Sequence, residues 1–170
     1  MWAYPLNGSS KSLRLLTFVV AGIVALSISL LPAWADDTIA TFKRLVQSHS
    51  LKCMFDEGTQ ANWSKGRLDA STIKNEEFAL HFDSIDAKKG TSRLIGNMGA
   101  ADLRTILTLE GLTFIEQTPS GNLNFTTVFP YYKKGTREFV AVTSRHLMFP
   151  GEDGESPFPS QRHGTCRVWE

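Results

Sequence analysis

The chain has 170 residues, with 18 Lys plus Arg against 17 Asp plus Glu, 42% hydrophobic residues and 11% aromatic. That is the composition of one ordinary globular domain plus whatever the first residues do. A net charge of +1 excludes a polybasic surface of the kind that neutralises nucleic-acid phosphates, and the apolar content excludes a disordered chain.

Lys11 and Arg14 precede an apolar stretch from Leu15 to Leu31, and Ala33-Trp34-Ala35 places small side chains at the two positions a signal peptidase reads. Residues 1–35 therefore read as a cleaved secretory signal peptide, cut before Asp36. The competing reading is a retained anchor, because a stretch of 17 residues lies at the lower limit for spanning a bilayer. Removing these 35 residues and their two basic side chains leaves 135 residues, 16 basic and 17 acidic. A chain of that length buries enough surface for a core without a metal staple. The expectation is one domain over residues 36–170, periplasmic or extracellular, with no stable membrane span.

Ile39, Phe42, Leu45 and Val46 recur at spacings of three and four between Asp37 and Ser48, which predicts one short amphipathic helix. Beyond it the period becomes two, with Gly, Asn, Ser or Pro about every ten residues, an all-β pattern. Leu51–Asp56 reads as a short strand and 58–69 as irregular, with Trp63 in a second short strand. Phe78–Asp86 alternates, with Phe78, Leu80 and Phe82 on one face, and Lys88-Lys89-Gly90 turns it into a hairpin with Thr91–Gly96. Ala101–Leu109 fits a helix or a strand; its Thr content and the Glu110-Gly111 turn favour strand. Leu112–Thr118 follows, then Leu123, Phe125, Thr127 and Phe129 alternating along a strand, a loop over 130–135, and a long strand from Glu138 to Met148. Pro150–Ser160 is rich in Gly, Pro and Glu and reads as a loop before a final strand at Thr165–Trp169.

Seven or eight strands joined by short turns imply an antiparallel up-and-down barrel, with a β-sandwich as the alternative. The two cysteines, Cys53 and Cys166, fall in the first and last strands, which an up-and-down barrel pairs. A disulfide across that seam is expected in an oxidising compartment, against the alternative of two buried free thiols.

Few residues carry chemistry. Ser144 and His146 share one strand face, but there is no Gly-x-Ser-x-Gly elbow or orienting carboxylate, so no catalytic residue is assigned. Arg145 and His146 are the candidate binding residues; Arg145 suits either a cross-strand ion pair or an anionic ligand. Asp83 and Asp86 have an odd spacing that sends them to opposite faces, and His81, His146 and His163 stand singly, so no metal site is expected. Glu152, Asp153 and Glu155 lack the order of a calcium loop. Asn62-Trp63-Ser64 and Asn124-Phe125-Thr126 match the N-glycosylation pattern, which matters only for a eukaryotic secretory route. Phe78, Leu80, Phe82, Phe114, Leu123, Phe125 and Phe129 suit either a ligand cavity or a filled core, the filled core being commoner in small barrels.

The run from Arg93 to Asp102 (RLIGNMGAAD), the strand Leu112-Thr113-Phe114-Ile115-Glu116, Ser144-Arg145-His146 and the terminal Gly164-Thr165-Cys166 resemble small exported β-rich bacterial proteins with no assigned function. In organisation the chain is also similar to calycin-type barrels, which carry apolar ligands, and to periplasmic lysozyme-inhibitor barrels with a disulfide near their ends. It lacks the lipocalin Gly-x-Trp signature and an inhibitor loop, so no functional residue is carried over from either group. The expectation is a non-enzymatic exported protein that binds a small apolar ligand or an envelope component, without cofactor. The alternative is a protein-interaction module, such as an inhibitor of a cell-wall hydrolase acting through Pro150–Ser160.

Overall fold

The computed structural model describes residues 34–64, 66–97, 99–151 and 154–170. The expected signal segment lies outside the described residues except for Trp34 and Ala35, which open the helix, and Glu152 and Asp153 also lie outside them. The chain divides at Asp37, and the unit Thr38–Glu170 contains all the strands among the described residues.

Helix α1 (Trp34–Val46) is followed by eight strands: β1 (Leu51–Ser64), β2 (Arg67–Asp86), β3 (Thr91–Gly96), β4 (Gly99–Thr108), β5 (Gly111–Gln117), β6 (Leu123–Tyr132), β7 (Phe139–Gly151) and β8 (Gly154–Val168). Each pairs antiparallel with the next, and β1 pairs with β8, so the sheet closes in one ring. The expected up-and-down barrel is the observed topology. Ala101–Leu109 is strand, as its Thr content suggested.

The seam is where the cysteines meet. Cys53 stands directly opposite Cys166 in the β1–β8 register, and the two form a disulfide, both fully buried. Two glycines let the same pair of strands approach closely. A Cβ on Gly164 would collide with the Met54 carbonyl oxygen, and one on Gly58 with that of Gln161.

α1 packs against one end of the barrel. Thr41 and Leu45, spaced by four, form its buried face, with Phe42 and Val46 half-buried beside them, and Ser48, two residues past its end, is buried as well. Ile39, expected on that face, is exposed instead. Leu45 joins a core cluster with Leu51, Cys53, Phe55, Ile85, Leu112, Val128 and Phe139. Its burial contributes about 1.5–3 kcal/mol. The chain leaving the helix is tied down by Ile85 N–H donating to His49 O (3.0 Å) and Trp169 N–H donating to Ser50 O (3.1 Å).

Two expectations fail at the other end. Residues 58–69, read as irregular, continue β1 and begin β2, and Pro150–Ser160, read as a loop, completes a β7–β8 hairpin with Pro150 opposite Glu155. Both hairpins run past the ends of β3–β6, pairing with each other as far as Gln60 and Ser160. These arms have no core beneath them, so their residues do not alternate between apolar and polar. Pro157 and Pro159 are tolerated because β8 there has β7 as its one partner strand, leaving the other edge free of ladder bonds. The β1–β2 arm leaves the barrel at an irregularity, where the registers of β1 slip between Phe55 and Glu57 and Asn75 on β2 adopts a left-handed φ of 58°, whereas the β7–β8 register runs through unbroken.

Candidate functional site

Strand parity decides which side chains meet inside the ring, because successive residues point to opposite faces. On β7, buried Phe139, Ala141 and Thr143 set the inward parity, which continues to Arg145. On β6 the inward residues are Asn124, Thr126 and Val128. The apolar alternation of Leu123, Phe125 and Phe129, read from sequence as a core face, therefore lies outside, where Phe129 stacks on Tyr131. Asn124 accordingly faces the interior, and its acceptor tripeptide is not a surface feature.

The interior is filled at the helix end and hollow at the other. The hollow is a cavity of about 230 Å³ with two unlike walls. Phe78, Leu80 and Phe82 of β2, Leu94 of β3, Leu103 of β4 and Phe114 of β5 make the apolar wall, with Phe82 and Phe114 stacked at 4.1 Å. Glu116 of β5 and Thr118 just after it, Asn124 and Thr126 of β6, and Thr143 and Arg145 of β7 make the polar wall. Four of the seven residues proposed from sequence as a cavity or core face thus line a cavity, rather than the solid core that is commoner in small barrels.

The polar wall is incompletely satisfied. Thr126 donates to Thr143 across β6–β7 (2.9 Å), and deeper in the barrel Ser92 and Thr105 share a hydrogen bond of 2.7 Å. Asn124 Nδ2 donates to Glu116 Oε2. A carboxylate only accepts, so the amide must turn its NH₂ toward Glu116, and this fixes Oδ1 as the free end. Asn124 Oδ1 is buried without a hydrogen-bond partner.

Arg145 has neither a hydrogen bond nor an ion pair among the described residues, where the ion pairs are Lys89–Asp86, Arg93–Asp83 and Arg162–Glu76. Its guanidinium lies 5.1 Å from the Phe78 ring centroid, a cation–π contact. Burial pushes its pKa down, opposed by the charge of nearby Glu116 and reinforced by that of Arg162. Arg162 also approaches Phe78, at 5.6 Å, but is engaged: it donates to Glu76 O (2.9 Å) and Glu76 Oε2 (3.1 Å). Of the two arginines at this ring, Arg145 retains its donors.

The other candidate binding residue is elsewhere. His146 is exposed on the outer face, edge-on to Phe125 at 5.8 Å, so strand parity separates it from Arg145. Ser144, also outward, accepts from Gln161 Nε2 (3.2 Å). Asp83 accepts two hydrogen bonds from Arg93 (2.9 and 2.8 Å), while Asp86 caps the following turn by accepting from the Lys88 and Lys89 amides. His81 bonds Ser50 at 3.0 Å. Among the described residues no group of three His, Cys, Asp or Glu could hold a metal ion, and no helix is long and apolar enough to cross a membrane.

The missed residues are Glu116 and Asn124. Glu116 stands two positions from Phe114 on the same strand face, and Asn124 stands out in the sequence only as a glycosylation acceptor; the β5–β6 register, which sets Glu116 opposite Asn124, is what brings the two together.

Fold and site define an eight-stranded, disulfide-closed antiparallel barrel with an amphipathic internal cavity. Comparison with protein-family models, curated proteins and solved structures finds no match to this chain.

Proposed function

We propose that this is an exported, non-enzymatic binding protein that holds a small, largely apolar ligand inside the barrel. The observation that carries the reading is the hollow half of the interior, where Phe82, Leu94 and Leu103 line a cavity. An apolar wall gains free energy when an apolar body covers it, and a few polar groups opposite fix orientation. Export is supported by the basic, apolar and Ala33-Trp34-Ala35 order of the first 35 residues and by the disulfide, which persists in oxidising compartments. The test is native mass spectrometry of protein purified from its exported fraction, then of the same sample denatured without reductant. An extra small-molecule mass lost on denaturation supports the reading. A bare protein that also fails to take up an apolar probe such as toluene refutes it.

A second reading, a protein-interaction module such as a cell-wall hydrolase inhibitor, is favoured by the exposed Trp63, Leu68, Met148 and Phe149 on the two projecting hairpins. Shortening the β7–β8 hairpin to Leu147–Phe158, which removes Met148 and Phe149 and keeps Arg145, separates the two: an inhibitor loses its partner, and a cavity binder keeps its ligand.

A further inference from the structure

We propose that the cavity binds a free α-amino acid with an aromatic or large aliphatic side chain, its carboxylate on Arg145, its ammonium on Asn124 Oδ1 and Glu116, and its side chain against Phe82 and Leu103. This rests on the reading of the barrel interior as the binding site.

The polar wall holds one unpaired cation, one carboxylate and one unpaired acceptor side by side. A simple anion on Arg145 would sit beside the Glu116 charge. A simple cation on Glu116 would sit beside Arg145, with Arg162 behind it. A zwitterion meets both and leaves the site neutral, so neither desolvated protein charge is left without a partner. The orphaned acceptor sharpens the choice. Asn124 Oδ1 requires a donor, and an ammonium has three N–H groups, enough for Oδ1 and the Glu116 carboxylate together. Arg145 offers the planar fork that matches a carboxylate.

The opposite wall selects the side chain. It is aromatic and aliphatic, and the cavity, about 230 Å³, is roughly one and a half times the ~150 Å³ cavity that accepts benzene. A ring-sized side chain plus a zwitterionic head fills it, whereas glycine or alanine would leave the apolar wall uncovered.

The experiment is isothermal titration calorimetry of the purified protein with L-phenylalanine, 3-phenylpropanoate and 2-phenylethylamine, with ¹H–¹⁵N shifts followed at Leu94, Leu103 and Thr126 and toluene as an apolar reference. Phenylalanine is expected to bind at least tenfold more tightly than either analogue. Arg145→Met keeps the volume while removing the charge; it should weaken phenylalanine at least tenfold but leave 2-phenylethylamine within about twofold. Glu116→Gln should weaken both ammonium-bearing ligands and spare 3-phenylpropanoate. If either variant fails to fold, the analogue series on the unaltered protein decides. An analogue that binds as tightly as phenylalanine overturns the proposal. Toluene shifts at the cavity without any response to phenylalanine overturn it while leaving the barrel interior as the ligand site; silence from both refutes both.

Discussion

Opening the Cys53–Cys166 disulfide should cost about 5 kcal/mol. The bridge spans 113 residues, and cross-linking over that length removes about 16 cal/mol/K from the unfolded chain, or about 5 kcal/mol at 25 °C, in the chain-entropy account. For the roughly 130 residues of Thr38–Glu170, that corresponds to a fall in melting temperature of about 17 °C. Urea unfolding of the oxidised and the reduced protein is the cleanest comparison, because both sulfur atoms stay in the core and no cavity is made. The reduced protein should also show a steeper urea dependence, since its unfolded chain exposes more surface. The β1–β8 ladder remains after reduction, so the barrel should stay folded in the absence of urea. A loss below about 2 kcal/mol with unchanged slope would mean that the cross-link does not restrict the unfolded chain, which already holds β1 near β8 without it.

Three further outcomes follow from the geometry. Gly164→Ala should destabilise the protein by about 3 kcal/mol or prevent folding, because the new methyl meets the Met54 backbone, whereas Gly96→Ala, with no atom closer than 3.8 Å to the added Cβ, should stay within about 0.5 kcal/mol by thermal unfolding. The Arg93 hydrogen bonds hold the Asp83 pKa below its usual value, so the stability Asp83 contributes is complete above its unfolded value near 3.9 and is lost as pH falls through the lowered folded value; unfolding curves of Asp83→Asn and the unaltered protein should differ above about pH 5 and converge toward about pH 2, and a constant gap would show that the carboxylate's charge is not responsible. Thr126→Val takes the buried Thr143 hydroxyl's partner and should cost about 1–3 kcal/mol, while Thr126→Val/Thr143→Val should come close to neutral; additive losses in the double-mutant cycle would show that the two hydroxyls are not coupled.

The topology was legible because local signals agreed with one another. Turn residues at Lys88-Lys89-Gly90 and Glu110-Gly111 separate short strands, and cysteines in the first and last strands are what a closed ring requires. The arms were illegible for a physical reason: with water on both faces, a strand such as Arg67–Glu77 has no cause to alternate, and all but Ile73 of its residues are exposed. The proline-rich half of β8 misled in the same way, since proline argues against a strand only where both edges are paired. Arg145 could be singled out as a cation for a cross-strand ion pair or an anionic ligand, yet sequence could not say that it points inward and His146 outward. That distinction needs the register between strands, which a single strand's pattern does not carry.

The inverted pattern of β6 is also what makes the cavity. An eight-stranded barrel is just wide enough for inward side chains to fill it, and at the helix end Leu51, Phe55, Leu112, Val128, Phe139 and the disulfide do so. Toward the other end β6 and β7 present Asn124, Thr126 and Thr143, which are shorter than the outward Phe125 and Phe129. Polarity also resists collapse onto the apolar wall, because closing the gap would bury the Glu116 carboxylate and the Arg145 guanidinium against hydrocarbon. The hollow is therefore held open by the same groups that would recognise a ligand. Filling it with one that lacks a polar head should be weaker than its apolar contact suggests, since the unpaired groups would stay unpaired in the complex.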